Sequence, residues 1–150
     1  MLRLTPNDKR ITMLKPILLT ATLISLASMA SADVIAERKA GFKGNAQALK
    51  TIKAALSTGD LTPAISAAES VADWSARMLD YFPEGSDQGD TKARAEIWFD
   101  FEDFTAKAKN AETAALSLAN LAKSGDASAT VKGFNALAGT CKACHSSYKD

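Results

Sequence analysis

Histidine and cysteine are almost missing from this chain: 150 residues hold one of the first and two of the second. Structural zinc needs four ligands, and two Cys with one His fall short when no second cluster exists. Glycine and proline are also few, at eight and four. β-Branched residues are not clustered, and no stretch shows strand alternation, sequence repeat or low complexity. What remains is an alanine-rich composition that favours helix. The charge lacks a dominant sign: 18 Lys and Arg stand against 17 Asp and Glu, a formal net of +1. That balance lacks the electrostatic footprint of a nucleic-acid binder. The length suits one domain.

The first 32 residues differ from the rest. Arg10 and Lys15 precede an apolar stretch from Pro16 to Ala30, and Ala30-Ser31-Ala32 follows it. A basic start, a short apolar run and a small-x-small site are the layout of a secretory signal. Residues 1–32 are therefore expected to be a cleaved signal peptide, with 33–150 as the mature domain. Met13 is an alternative start to Met1. The apolar run is short for a span, so no stable membrane insertion is expected. Removing 1–32 takes away four bases and one acid and leaves fourteen bases against sixteen acids, a net of −2. Export places the chain in an oxidising compartment, the periplasm of a Gram-negative host, where two thiols pair unless something consumes them.

Four helical segments follow. Helix A is expected over Val34–Leu56, with Ile35, Arg38, Phe42, Asn45, Leu49, Ile52 and Leu56 spaced alternately by three and four. Arg38 and Asn45 are polar members of that stripe and need buried partners or a ligand. Gly59 ends the helix. Helix B is expected from Thr62-Pro63, an N-cap and a proline at N1, up to Pro83. The residues from Phe82 to Asp90 are a loop by composition. Helix C is expected from Thr91 to Lys123, on the seam Ile97, Phe101, Phe104, Ala108, Ala111, Ala115, Leu118, Ala122. Helix D is expected from Ala127 to Lys149 after an Asp126 cap, with Val131, Phe134, Ala138, Cys141, His145 and Tyr148 as its stripe. The pattern predicts an all-α, antiparallel four-helix bundle.

Both cysteines and the histidine fall within Cys141-Lys142-Ala143-Cys144-His145, on the core-facing stripe of helix D. Cys-x-x-Cys-His is the attachment signature of a c-type haem. Cysteines three apart on a helix share one face, and each thiol can add across one vinyl group of a porphyrin. His145 points from the same face toward the iron. A thioredoxin-like pair would need a βαβ setting, which is missing. A structural disulfide with an incidental histidine is the other alternative. With His145 committed to iron, no nucleophile–base pair remains, and no enzyme activity is expected.

These residues, with three further marks, resemble the cytochrome c′ family across the mature chain. The marks are Thr140 to Lys149 around the haem motif; Phe82-Pro83-Glu84-Gly85-Ser86 with Thr91-Lys92-Ala93 and Glu96-Ile97-Trp98; and Arg38 four residues before Phe42. The resemblance implies an antiparallel four-helix bundle with one covalent haem c near one end, usually as a homodimer. It implies that Phe42 faces the iron, at a position where Met would mean a six-coordinate, low-spin electron carrier and a non-ligating apolar residue a five-coordinate, high-spin iron that binds NO or CO. It also implies that Arg38 meets a propionate by charge-assisted pairing. Lys39 follows where the family often has Gln, and Lys149 stands where it usually has Arg, without the planar fork.

Phe42 cannot ligate, and after signal removal Met78 is the sole methionine. The expectation is a five-coordinate, high-spin haem with His145 as its protein ligand, binding NO or CO and able to exchange electrons with an unidentified periplasmic partner. The alternatives are a six-coordinate low-spin electron carrier, with Met78 as the candidate ligand, and a haem-free disulfide-bonded helical protein.

Overall fold

The computed structural model describes residues 17–150, with side chains from residue 33 onward. Two compact units are present, Met1–Ala30 and Ser31–Asp150. Residues 17–30 of the first are helical; the second holds the bundle. The expected leader, 1–32, lies outside the residues whose side chains are described.

Among the described residues the helices are, in order, α1 (Ile17–Thr58), α2 (Thr62–Arg77), α3 (Glu96–Phe99), α4 (Phe101–Ser124) and α5 (Ala127–Tyr148). A 3₁₀ turn, Met78–Tyr81, extends α2. Val34 is not a helix start. No glycine or proline interrupts residues 17–40, and α1 runs through. Thr62 is not the cap of α2 either: it lies inside the first turn, and Asp60 Oδ1 accepts its N–H at 3.0 Å.

The largest departure is at helix C. Residues 91–95 are not α-helical, α3 is a single turn, and Asp100 (φ −134°, ψ 63°) breaks the path before α4. Asp100 caps α4, its side chain accepting the Asp103 N–H at 3.1 Å. A capping carboxylate inside an apolar seam competes with the helix for backbone donors, and here it wins. Ile97 still reaches the core, at 1 % exposure, but Phe101 is 39 % exposed.

α4 ends on Gly125 in the left-handed region (φ 76°), and Asp126 caps α5 by accepting the Ala129 N–H at 2.8 Å. The buried face of α5 is Thr130, Gly133 and Leu137, whereas Val131 is 43 % exposed and Ala138 is exposed. The expected stripe is thus one position off over its first half. The reason is close packing: a Cβ built on Gly133 would lie 2.9 Å from Leu121 and 3.2 Å from Leu118. In a helix so rich in small residues, apolar spacing does not single out one face.

Cross-helix pairs give the directions. Gly41 meets Trp74, and Arg38 meets Tyr81. Lys123 reaches Glu69, and Phe104 packs on Phe82. Gly133 lies on Leu118, and Tyr148 bonds to Asp103. In each case one number rises as the other falls, so successive long helices are antiparallel. The chain is an all-α, antiparallel four-helix bundle formed by α1, α2, α4 and α5.

The core has two ends of different character. One is alanine-rich: Ala48, Ala55, Ala64, Ala68, Ala115 and Ala122 surround Ile52, Leu118 and Leu137. Small side chains let helix axes approach closely. The other end is aromatic, built on Trp74, Met78, Phe82, Ile97, Phe104 and Tyr148, with Phe42 and Cys144 packed against them. Larger side chains hold the helices apart there, and a cavity opens.

Candidate haem site

The cavity measures about 530 Å³. α5 lines it with Thr140, Cys141, Cys144, His145 and Tyr148. α1 contributes Arg38, Lys39, Phe42, Asn45 and Leu49, and α2 contributes Val71 and Ser75, with Met78 from the 3₁₀ turn. Phe104, Lys107 and Ala108 enter from α4, and Phe82, Thr91, Lys92 and Ala93 from the connecting strap. All seven residues singled out in the sequence, Arg38, Lys39, Phe42, Cys141, Cys144, His145 and Lys149, border this one space.

Cys141 and Cys144 are half-buried free thiols one turn apart, with His145 next to the second. Burial pushes the Cys141 thiol up, and it pushes Cys144 up to about 11 against the opposing pull of Lys107. Both are therefore neutral thiols at neutral pH. His145 is held below its ordinary value, first by desolvation and then by Lys149. A neutral imidazole has a lone pair free for a metal.

Arg38 is 3 % exposed and bonded to protein. Nη1 donates to the Tyr81 carbonyl (3.3 Å) and Ser86 Oγ (3.1 Å); Nη2 donates to the Ser86 carbonyl (2.9 Å) and Thr91 Oγ1 (2.7 Å). The guanidinium also stacks 4.5 Å over the Phe82 ring. Its burial lowers its pKa without endangering its charge. These four bonds engage both terminal nitrogens and leave Nε–H as the remaining donor. Arg38 thus first pins the strap from Tyr81 to Thr91 over the cavity. Lys39 pins the same strap from outside, 2.5 Å from Asp90.

Ser86 was not legible as a site residue. It lies in a stretch that reads as a surface loop, yet it is fully buried as an acceptor for Arg38. Phe-Pro-Glu-Gly-Ser gives a turn signal but not a direction. Tyr148 and Asp103 form a second unread pair: the Tyr148 hydroxyl donates to Asp103 Oδ2 at 2.6 Å, and Lys107 lies 3.0 Å from the same oxygen. Asn45, the other polar residue on the helix A stripe, borders the cavity and makes no side-chain hydrogen bond among the described residues. Trp98 does not line the cavity; its Nε1 donates to the carbonyls of Phe82 and Pro83, both at 3.1 Å.

Lys149 is not a frayed end. It forms an antiparallel bridge with Ala93, flanked by Arg94 N–H to Tyr148 O and Asp150 N–H to Lys92 O, both at 3.1 Å. The clasp holds Lys149 extended at the end of α5, beside the cavity.

Phe42 packs edge-on against Trp74 (5.5 Å between centroids) and Phe82 (6.4 Å), so its ring has neighbours that resist rotation. A large apolar space with two thiols and an imidazole on one wall, and a buried guanidinium at its edge, fits a flat carboxylate-bearing tetrapyrrole.

Comparison with known proteins agrees. The family model described as Cytochrome C' matches residues 33–149. A cytochrome c′ of Rhodospirillum rubrum is 48 % identical over 69 residues, 45 % of this chain and 47 % of that protein. One from Rhodopseudomonas palustris is 33 % identical over 139 residues, 86 % of this chain and 92 % of its own length. The solved cytochrome c prime of Shewanella frigidimarina superposes with a TM-score of 0.74 at 35 % identity, covering 80 % of this chain and 96 % of that one. With the match running through nearly all of 33–150 and the bundle reproduced, the chain belongs to the cytochrome c′ family, whose cofactor is a c-type haem.

Proposed function

We propose that the chain is exported to the periplasm, loses residues 1–32, and carries one haem c joined by thioethers to Cys141 and Cys144, with His145 as the only protein ligand of a high-spin iron. The open side takes NO or CO, and the protein exchanges electrons with a periplasmic partner. It works as a homodimer, as the family resemblance implies. The observation that carries this reading is the distribution of donors around the cavity: the one histidine and both cysteines stand on α5, while the α1 lining, Arg38, Lys39, Phe42, Asn45, Ala46 and Leu49, holds no histidine, cysteine or methionine.

When bound, haem supplies an iron that changes oxidation state and accepts a diatomic ligand. The chain's residues do the rest. Cys141 and Cys144 would anchor the ring through thioethers, since addition of an S–H across a vinyl group needs no oxidant or reductant. His145 offers a neutral nitrogen. Arg38 offers Nε–H to a propionate while holding the strap closed. Phe42 excludes water and leaves room only for small, weakly polar ligands.

Absorption spectra of the periplasmic protein, ferric, ferrous and ferrous with CO, test this directly. A covalent haem with high-spin ferrous bands that shift on adding CO is expected, with a mass equal to residues 33–150 plus one haem. A low-spin spectrum indifferent to CO would overturn it. One observation favours a second reading: Met78 is 4 % exposed and borders the cavity. If the spectrum is low-spin and Met78→Leu makes it high-spin, the protein is a six-coordinate electron carrier.

A further inference from the structure

Charge is not spread evenly over this protein. From Asp33 on there are fourteen Lys and Arg against sixteen Asp and Glu. Five of the bases, Arg38, Lys39, Lys92, Lys107 and Lys149, border the cavity, and only one carboxylate, Asp90, does. The other nine bases are outnumbered by fifteen acids. The chain thus carries an excess of four positive charges around the cavity and six negative charges elsewhere. Two propionates would offset half of the local excess and leave its sign unchanged.

Ion pairing narrows the source of the field. Lys39 is paired with Asp90, and Lys107 with Asp103. Asp150 and Glu96 both pair with Arg94. Lys92, Lys142 and Lys149 make no ion pair among the described residues, and all three are exposed. Lys92 and Lys149 stand on the two sides of the clasp, held there by backbone hydrogen bonds. Lys142 lies between the two cysteines on α5. Five other exposed bases without an ion pair among the described residues, Lys43, Lys50, Lys53, Arg77 and Lys132, lie away from the cavity lining, whereas these three stand on the segments that carry Cys141, Cys144 and the clasp.

We infer that this lysine rim is the docking face for an electron-transfer protein with an acidic patch. The inference rests on the haem-carrier reading above. Charges within about one Debye length, ~10 Å at 0.1 M salt, act on an approaching partner together. They set encounter rate and orientation more than final affinity. A second copy of this chain does not suit the face, because rim would meet rim with like charge. The overall charge of the mature chain predicts the opposite behaviour, repulsion of anionic partners, so the two can be separated.

The test is stopped-flow oxidation of the ferrous protein across rising ionic strength, with hexacyanoferrate(III) as anionic probe, tris(phenanthroline)cobalt(III) as cationic probe and plastocyanin as an acidic protein. The rates with hexacyanoferrate and plastocyanin should fall roughly tenfold from low to high salt, and the cobalt rate should rise. Lys92→Glu/Lys142→Glu should flatten these slopes. Lys132→Glu, a single charge reversal near the start of α5, should leave them within about twofold. Retention on a cation exchanger at neutral pH, despite net negative charge, gives a readout without electron transfer; the double variant should lose it and Lys132→Glu keep it. Slopes that follow net charge, with no retention, overturn the inference. Steering of hexacyanoferrate but not of plastocyanin overturns it in favour of a small-anion site. A chain with no oxidisable haem overturns the carrier reading itself, and this docking face with it.

Discussion

The guanidinium of Arg38 donates to both the hydroxyl and the carbonyl of Ser86, 48 residues away, at 3.1 and 2.9 Å. One buried cation thereby fixes the strap that closes the cavity. Replacing it leaves two buried acceptors without a donor, which costs about 1–3 kcal/mol.

Arg38→Met should therefore lower stability in denaturant by about that amount. Arg38→Lys should recover little, because an ammonium cannot reach four acceptors from a planar fork. Ser86→Ala removes one acceptor and should cost about 1 kcal/mol. Urea midpoints measure all three. Equal midpoints for Arg38→Lys and wild type would show that the strap is not held this way.

Two glycines three residues apart on α1 should respond to alanine with opposite signs. Nothing lies within 4 Å of a Cβ built on Gly44, so Gly44→Ala should gain roughly 0.5–1 kcal/mol from helix propensity. A Cβ on Gly41 would lie 2.2 Å from the Trp74 ring, which is buried and rigid. Overpacking of that kind costs about 1–3 kcal/mol and outweighs the propensity gain. Trp74→Phe shortens the ring and removes an indole N–H that has no hydrogen-bond partner among the described residues. Gly41→Ala/Trp74→Phe should thus be more stable than additivity allows. Thermal unfolding of the four proteins decides it.

Acid should loosen the contact between α4 and α5. The Tyr148 hydroxyl, and after it Lys107, hold Asp103 below the usual 3.8. A depressed carboxyl contributes stability that is complete above its unfolded value and is lost as pH falls through its folded value. The melting temperature should drop from about pH 4 downward, and Tyr148→Phe should make that drop shallower. An unchanged acid slope in Tyr148→Phe would assign the acid sensitivity to other carboxylates. Desolvation of the phenol, and after it the same hydrogen bond, raise the Tyr148 hydroxyl strongly, so no alkaline transition from this residue is expected near neutrality.

Phe42→Met places a thioether on the cavity wall where the aromatic ring now packs. It should move the iron toward six-coordinate low spin and slow CO binding. If spin state and CO kinetics both stay unchanged, Phe42 does not face the iron.

Helix spacing and the Cys141-to-His145 motif were legible because both depend on residues close in sequence. Alternating three–four steps put Ile35, Ile52 and Leu118 inside, and they are buried. The same logic failed where neighbours across the bundle decide. Asp100 broke helix C because it found backbone donors to cap, and Gly133 reached the core of α5 because two leucines of α4 press on it.

The amino-acid sequence by itself determined the all-helical class, the grouping of two thiols and one imidazole on a single face, and the family. These follow from local spacing and from residue types that have no substitute elsewhere in the chain. Only the tertiary structure decided what Arg38 holds, that Ser86 is buried, that the C-terminus is clasped to residues 92–94, and that positive charge collects around one cavity. Hydrogen-bond partners 45 or 48 residues apart are chosen by how the helices pack, and no periodicity along the chain encodes that choice.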